Sequence, residues 1–269
     1  MIVKEKNGEG FLDLRICDNL ELMAEIKDNT IDLIYCDILY GTGRKFKDYQ
    51  DLKPIRSEIE NHYIPRIKEM YRILKPTGSI YLQMDYRISH WMRCIMDDIF
   101  GYDRMLNEII WCYRSGGKAS NKFSLNHDNI LFYSKTNKYN FNSQKDLSYL
   151  PKMKGRSKFE NELGGFYSKC EHCDSDNVAV RNVEARDFWE FNILSCRNAE
   201  RIGYATQKPK ALIERIIKAS SNEGDLVADF YMGSGTTAEV CKDLKRDFIG
   251  CDINPRAIEI TKTRLNAGT

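Results

Sequence analysis

The chain has 269 residues, 42% hydrophobic and 30% charged, enough apolar material for one large α/β domain or for a domain carrying an insertion. No apolar run reaches the roughly 18 residues of a membrane span, and the polar start MIVKEKNGEG lacks a leader's apolar stretch, so the expectation is a cytoplasmic protein rather than a membrane or secreted one. The net charge is only +2, yet between Tyr113 and Lys158 ten Lys and Arg face two acids, which makes that stretch +8 and the remainder −6. Charge segregated in this way points to a nucleic acid as partner.

In chain order, FLDLRIC (11–17) reads as a strand and NLELMAEI as a helix. IDLIYCD (31–37) is a strand rich in Ile, Leu and Tyr. Residues 55–74 have helical spacing, with the stop placed at LKPTG by Pro76 and Gly78. GSIYLQMD (78–85) is the next strand and HWMRCIMDDIFG (90–101) a helix closed by Gly101; MLNEIIWCY and DNILFYSK are two more strands. From 137 to 200 the pattern gives way to a polar, Lys-, Asn- and Ser-rich segment, expected to be an inserted target-recognition region between the two parts (1–136 and 201–269) of a catalytic domain. Order resumes with the amphipathic helix 208–221, strand DLVADF (225–230), a glycine turn, helix TTAEVCKDL, strand DFIGCD (247–252) and helix PRAIEITKTRL, whose Pro255 suits a first turn. Strands alternating with helices imply a Rossmann-like, mainly parallel sheet covered on both faces.

DFYMGSGTTAEV (229–240) puts Gly233, Gly235 and Ala238 in the order G-x-G-x-x-A between a strand and a helix, where glycines let the backbone turn tightly against a ligand. Asp252 ends the following strand, where a carboxylate can accept from both ribose hydroxyls. The pair points to an adenosine-containing cofactor, and the absence of Gly-Lys-Ser/Thr argues against a nucleotide phosphate loop. An apolar strand that ends on an acid and an aromatic, IYCDILYGTG (34–43), needs a partner for its carboxylate.

Together these stretches resemble the DNA amino-methyltransferases that use S-adenosylmethionine to methylate N6 of adenine or N4 of cytosine, in the beta order where the catalytic motif precedes the cofactor motif. DLIYCDILY stands where the family has a strand followed by Asp-Pro-Pro-Tyr, and GYATQKP (203–209) where it has Thr-Gln-Lys-Pro. DFYMGSGTT stands where it has Asp-Pro-Phe-x-Gly-Ser-Gly-Thr-Thr, and FIGCDINPRAIEIT matches the strand, acid and helix beyond. The resemblance implies a circularly permuted methyltransferase fold and a catalytic quartet of Asp37, Ile38, Leu39 and Tyr40. It implies a cofactor site drawn from Asp229, Phe230, Tyr231, Gly233, Ser234, Gly235, Thr236, Thr237 and Asp252, with Asp18 near the adenine and Thr206, Gln207 and Lys208 lining the pocket. Asp at the head of the quartet favours adenine, because the cytosine-N4 enzymes more often carry Ser there. Double-stranded DNA is the implied substrate; a cognate restriction endonuclease and a homodimer are further partners left open.

The chemistry agrees with those roles. The exocyclic amine is a poor nucleophile because its lone pair is delocalised into the ring; acceptors on both N–H bonds, the Asp37 carboxylate and the Ile38 carbonyl, favour a pyramidal nitrogen. Tyr40 offers a ring to an extruded base. Ile38, Leu39 and Phe230 replace prolines, and at Ile38 and Leu39 the cost in loop rigidity is on the order of 1 kcal/mol per site; a catalytically impaired nucleic-acid-binding homologue is therefore an alternative, beside a cytosine-N4 enzyme and an RNA methyltransferase.

Arg114, Lys118 and Lys122, in the Gly/Ser-rich basic loop WCYRSGGKASNKFSLNH, are candidates to lie along phosphates, with His127 read as a packing residue. Cys170 and Cys173 form a C-x-x-C around His172 with only Cys196 near, too few ligands for a structural zinc, so no metal is expected. The odd count of nine scattered cysteines suits free thiols.

Overall fold

The computed structural model describes residues 2–7, 10–46, 49–114, 120–151, 166–167, 178–194, 198–204 and 206–266. Two compact units separate: residues 1–142 with 187–269, and residues 143–186. The second unit is a three-stranded antiparallel sheet in the order β7 (Lys145–Pro151), β9 (Val178–Glu184), β8 (Phe166–Tyr167).

The first unit is built on β1 (Ile2–Asn7), β2 (Gly10–Ile16), β3 (Ile31–Asp37), β4 (Leu74–Met84), β5 (Met105–Cys112), β6 (His127–Ser134), β10 (Phe188–Glu190), β11 (Leu226–Asp229) and β12 (Asp247–Asp252). Its helices are α1 (Asn19–Glu25), α2 (Arg56–Ile73), α3 (Tyr86–Phe100), α4 (Lys210–Ser220), α5 (Thr236–Asp243) and α6 (Pro255–Asn266). The sheet order is β1-β2-β12-β11-β3-β4-β6-β5-β10. From β2 to β4 all neighbours are parallel; β1 and β6 pair antiparallel with theirs. Both faces carry helices. Leu22 and Met23 of α1, Ile59 and Tyr63 of α2 and Ile88 and Met92 of α3 pack with Ile34 and Cys36 on one side. Ile213 and Ile216 of α4, Val240 of α5 and Ile258 of α6 pack with Leu33 and Tyr35 on the other. Strand β3 is therefore buried along Ile31–Cys36, and only its last residue, Asp37, reaches toward solvent. Asp37, Asp229 and Asp252 end three strands of the parallel set, β3, β11 and β12, at the carboxyl edge where α/β sheets hold ligands.

The structure departs from the expectation at four places. Strand β1 is an added edge strand in the polar start. Strand β4 begins at Leu74, through Pro76 and Gly78, because its pairing with β3 breaks between Leu74 and Ser79 and Pro76 owes no N–H there. Helix α3 starts at Tyr86, capped by Asp85 Oδ1, which accepts from Arg87 N at 2.9 Å. Residues 187–200 lie with the first unit, and β10 pairs with β5. No helix among the described residues is long and apolar enough to cross a membrane.

Candidate active site

Asp37 keeps 20% of its side-chain surface, facing a cleft. Its Oδ2 accepts from Lys208 Nζ at 2.5 Å, and its Oδ1 lies 3.0 Å from the Tyr40 hydroxyl. Burial raises the Asp37 carboxyl above the usual range, while the Lys208 charge and hydrogen bond pull it back down. The same Lys208 ammonium lies 5.2 Å from the centre of the Tyr40 ring.

The residues that stand in place of prolines are accommodated. Ile38 N–H continues the β3–β4 ladder to the Gln83 carbonyl at 3.1 Å, and its side chain is buried. The Leu39 carbonyl accepts from the Tyr63 hydroxyl at 2.9 Å. Phe230 N–H points at Cys36 Sγ, 3.4 Å away, and the Phe230 carbonyl accepts from Asn19 Nδ2 at 3.3 Å. Beyond the quartet, the buried Asp51 carboxylate gathers the chain: it accepts from Gly41 N at 3.0 Å, Thr42 N at 2.7 Å, Thr42 Oγ1 at 2.5 Å and Leu52 N at 2.8 Å.

The glycine turn lies beside Asp37. Asp252 Oδ2 accepts from Gly233 N at 2.9 Å and Oδ1 from Asn254 N at 2.8 Å. Gly235 has φ +72° and caps α5, and a Cβ there would collide with the Thr261 side chain, so only glycine fits. One cleft of about 980 Å3, counted out to open solvent, brings together Asp37, Ile38, Leu39, Tyr40, Asp18, Thr206, Lys208, Phe230, Tyr231, Gly233 and Asp252. Ser234, Thr236 and Thr237 are buried behind it: Thr237 Oγ1 donates to Asp229 Oδ2 at 2.6 Å, and Arg264 Nη1 donates to the Ser234 carbonyl at 3.1 Å and to Thr236 Oγ1 at 2.9 Å. They and Asp229 shape the turn from inside. Burial lifts the Asp229 carboxyl to about 7. Asp18 caps α1 through Leu20 N at 2.8 Å and pairs with Arg66 at 2.8 Å. Gln207 donates to the Glu200 carbonyl at 2.7 Å and accepts from Ile202 N at 3.0 Å.

A second cleft, about 710 Å3, shares Tyr40, Tyr204, Thr206 and Lys208 with the first and continues to Trp111, Tyr113, Asp128 and Gln207. Asp128 is a site residue that the sequence reading missed; its signal is an acid in phase with the buried Ile130 and Phe132 of β6. His62, with its pKa lowered to about 4 by burial, and Arg66 also line the first cleft without having been singled out. Arg114 and Lys122 are exposed; Lys118, Cys170, His172, Cys173 and Cys196 lie outside the described residues.

A strand-end carboxylate, a tyrosine three residues on and a glycine turn thus line one cleft at the carboxyl edge of a Rossmann-like sheet. Residues 31–263 match the N6/N4 DNA methylase family, and the chain belongs to it. It is 33% identical over 255 residues to the type II methyltransferase M.HpaI of Haemophilus parainfluenzae, covering 94% of this chain and 74% of that protein. It is 28% identical to the DNA adenine methyltransferase YhdJ of Escherichia coli (strain K12), covering 94% and 82%. Among solved structures the fold is similar to the cytosine-N4-specific PvuII DNA methyltransferase (17% identity, TM-score 0.67, 94% and 86% covered) and to the M1.HpyAVI complex with S-adenosylmethionine (19%, 0.60, 95% and 99%).

Proposed function

We propose that this chain transfers a methyl group from S-adenosylmethionine to N6 of adenine in double-stranded DNA. The observation that carries the reading is the shared cleft: Asp37 and Tyr40 stand beside Gly233 and Asp252, and Tyr40 also lines a second cleft. The first cleft fits the donor. Asp252 supplies a carboxylate for ribose hydroxyls, Gly233 turns the backbone at φ +51°, a conformation side chains rarely adopt, and Phe230 and Tyr231 complete the wall. When bound, S-adenosylmethionine supplies an electrophilic methyl on its sulfonium.

The chain's own groups do the rest. The base, out of the duplex, enters by the second cleft and stacks on Tyr40. Asp37 and the Ile38 carbonyl accept the two N–H bonds of its amine, and the carboxylate stabilises the positive charge that develops on nitrogen and takes the excess proton. Lys208 occupies Asp37 Oδ2 and holds the carboxylate's orientation. The Ile38 and Phe230 N–H groups, donors that proline would not have, both find partners, and the Leu39 carbonyl keeps an acceptor's bond to Tyr63; this favours an active enzyme over a binding-only homologue. Asp at the quartet's head and the adenine specificity named for YhdJ favour adenine over cytosine.

Residues 143–186 are the candidate for target recognition, and Arg114, Lys118 and Lys122 for phosphate contact. The type II naming of M.HpaI suggests a cognate restriction endonuclease, both acting in the cytoplasm. Incubating purified protein with duplex DNA and labelled S-adenosylmethionine, then digesting to nucleosides, tests the reading. Label in N6-methyladenine is expected; label in N4-methylcytosine alone, or in RNA but not DNA, overturns it.

A further inference from the structure

The Tyr40 hydroxyl has one proton and two carboxylates competing for it. Asp128 Oδ2 lies 2.6 Å from the phenol oxygen and Asp37 Oδ1 lies 3.0 Å away. Gln83 braces the Tyr40–Asp128 side of this trio. Its Oε1 accepts from the Tyr35 hydroxyl at 2.8 Å, which turns its amide nitrogen toward Tyr40 and Asp128. That Nε2 donates to the Tyr40 oxygen at 3.2 Å and to Asp128 Oδ2 at 3.1 Å. The phenol oxygen thus already accepts one hydrogen bond, and its own proton goes along the shorter vector, to Asp128. Tyr113 donates to the other oxygen of Asp128 at 3.0 Å, so this carboxylate is held at both ends. Burial and the two nearby carboxylates push the Tyr40 phenol well above its ordinary range, which keeps the hydroxyl protonated.

Resting on the methyl-transfer reading, we propose that Asp128 is a positioning residue of the reaction: it takes the Tyr40 proton, so that Asp37 Oδ1 faces a lone pair rather than a donor and stays open to the target amine, while Lys208 holds Oδ2. Without Asp128 the phenol would donate to Asp37, using up the oxygen the amine needs and weakening its hold on an N–H proton. The same contact fixes the Tyr40 ring on which the base stacks.

The groups facing Asp37 are Lys208 from the segment before α4, Asp128 from β6, Tyr40 on its own loop, Tyr35 on β3 and Asp229 on β11. Replacing Asp128 by Asn removes a like charge and leaves one neutral acceptor where a carboxylate took three hydrogen bonds, which weakens the hold on the Tyr40 proton and favours its turning toward Asp37; both changes make Asp37 more acidic. Carbon-13 NMR titration of the aspartate carboxyls in the unliganded protein, with the Asp37 signal assigned by its loss in Asp37→Asn, reads this without any turnover. In Asp128→Asn the Asp37 midpoint is expected to fall by about one pH unit, the acid limb of kcat to move with it, and kcat to drop about tenfold with KM for DNA within about twofold. Asp128→Glu restores most of the rate.

Tyr40→Phe supplies an independent check that needs no change at Asp128. With the proton on Asp128, removing the hydroxyl leaves the Asp37 midpoint nearly where it was; with the proton on Asp37, the midpoint rises. A rise in Tyr40→Phe, or an unmoved or raised midpoint in Asp128→Asn, overturns the assignment even if the enzyme methylates DNA. Absence of methyl transfer by the parent protein defeats the reading beneath it, and the titration still reports where the Tyr40 proton lies.

Discussion

Asp51→Ala should loosen the catalytic loop as a whole. The Asp51 side chain is 3% exposed and accepts four hydrogen bonds, from Gly41 N, Thr42 N, Thr42 Oγ1 and Leu52 N. Hydrogen bonds to a charged group contribute about 1.5–3 kcal/mol each, but water entering the vacated space re-solvates the outer donors, so the expected loss is about 3–5 kcal/mol rather than the sum. For a chain of this size that corresponds to a fall in melting temperature of roughly 10 °C. Methyl transfer should fall further than stability implies, because Thr42 lines the cleft and Tyr40 precedes the released turn. Asp51→Asn, which keeps one acceptor oxygen and aims an amide at N–H donors, should fall between the parent and Asp51→Ala. Thermal unfolding followed by circular dichroism, beside a methyl-transfer assay on the same preparations, measures both. An Asp51→Ala protein that melts with the parent and methylates at its rate would refute the claim that this carboxylate supplies the rigidity the two missing prolines leave out.

Gly235→Ala should destabilise the protein by about 2–4 kcal/mol, because a residue at φ +72° is strained and its Cβ would meet Thr261; urea unfolding checks it. Asp229, raised to about 7 in the folded protein against about 3.9 unfolded, holds a proton there that the unfolded chain has lost, so stability should decline as pH rises from about 4 to 7. Asp229→Asn should flatten that decline in unfolding curves taken across the range. Arg114→Ala and Lys122→Ala should each lower the slope of log affinity for DNA against log salt by about 0.9 if each contacts one phosphate, as filter binding or anisotropy at several salt concentrations would show.

Much of the fold was legible because burial imposes period. Strand 247–252 and the helix from 255 match the pattern of their apolar residues, and Asp37, Gly233 and Asp252 meet in one cleft as strand ends and a glycine turn require. What escaped depended on contacts far apart in sequence. Strand β1 reads as polar because it is an edge strand whose partner alone gives it shape. Pro76 reads as a helix stop although it sits where the β3–β4 pairing lapses. Lys208 belongs to a cofactor-like motif, yet its ammonium goes to Asp37, 171 positions away. Asp51 carries no local signal of its role, and the phase of Asp128 with Ile130 and Phe132 marks it as inward-facing without saying what it meets; only the fold brings them to the loop and to Tyr40. Ser234, Thr236 and Thr237 belong to the cofactor motif, but their side chains build the turn from behind.

Methyl transfer by Asp37→Ala, measured beside the parent under single turnover with melting temperature and cofactor affinity taken on the same samples, tests the account most directly. The predicted result is a rate lower by on the order of 100- to 10,000-fold in a protein that still folds and binds S-adenosylmethionine; transfer at the parental rate would contradict it.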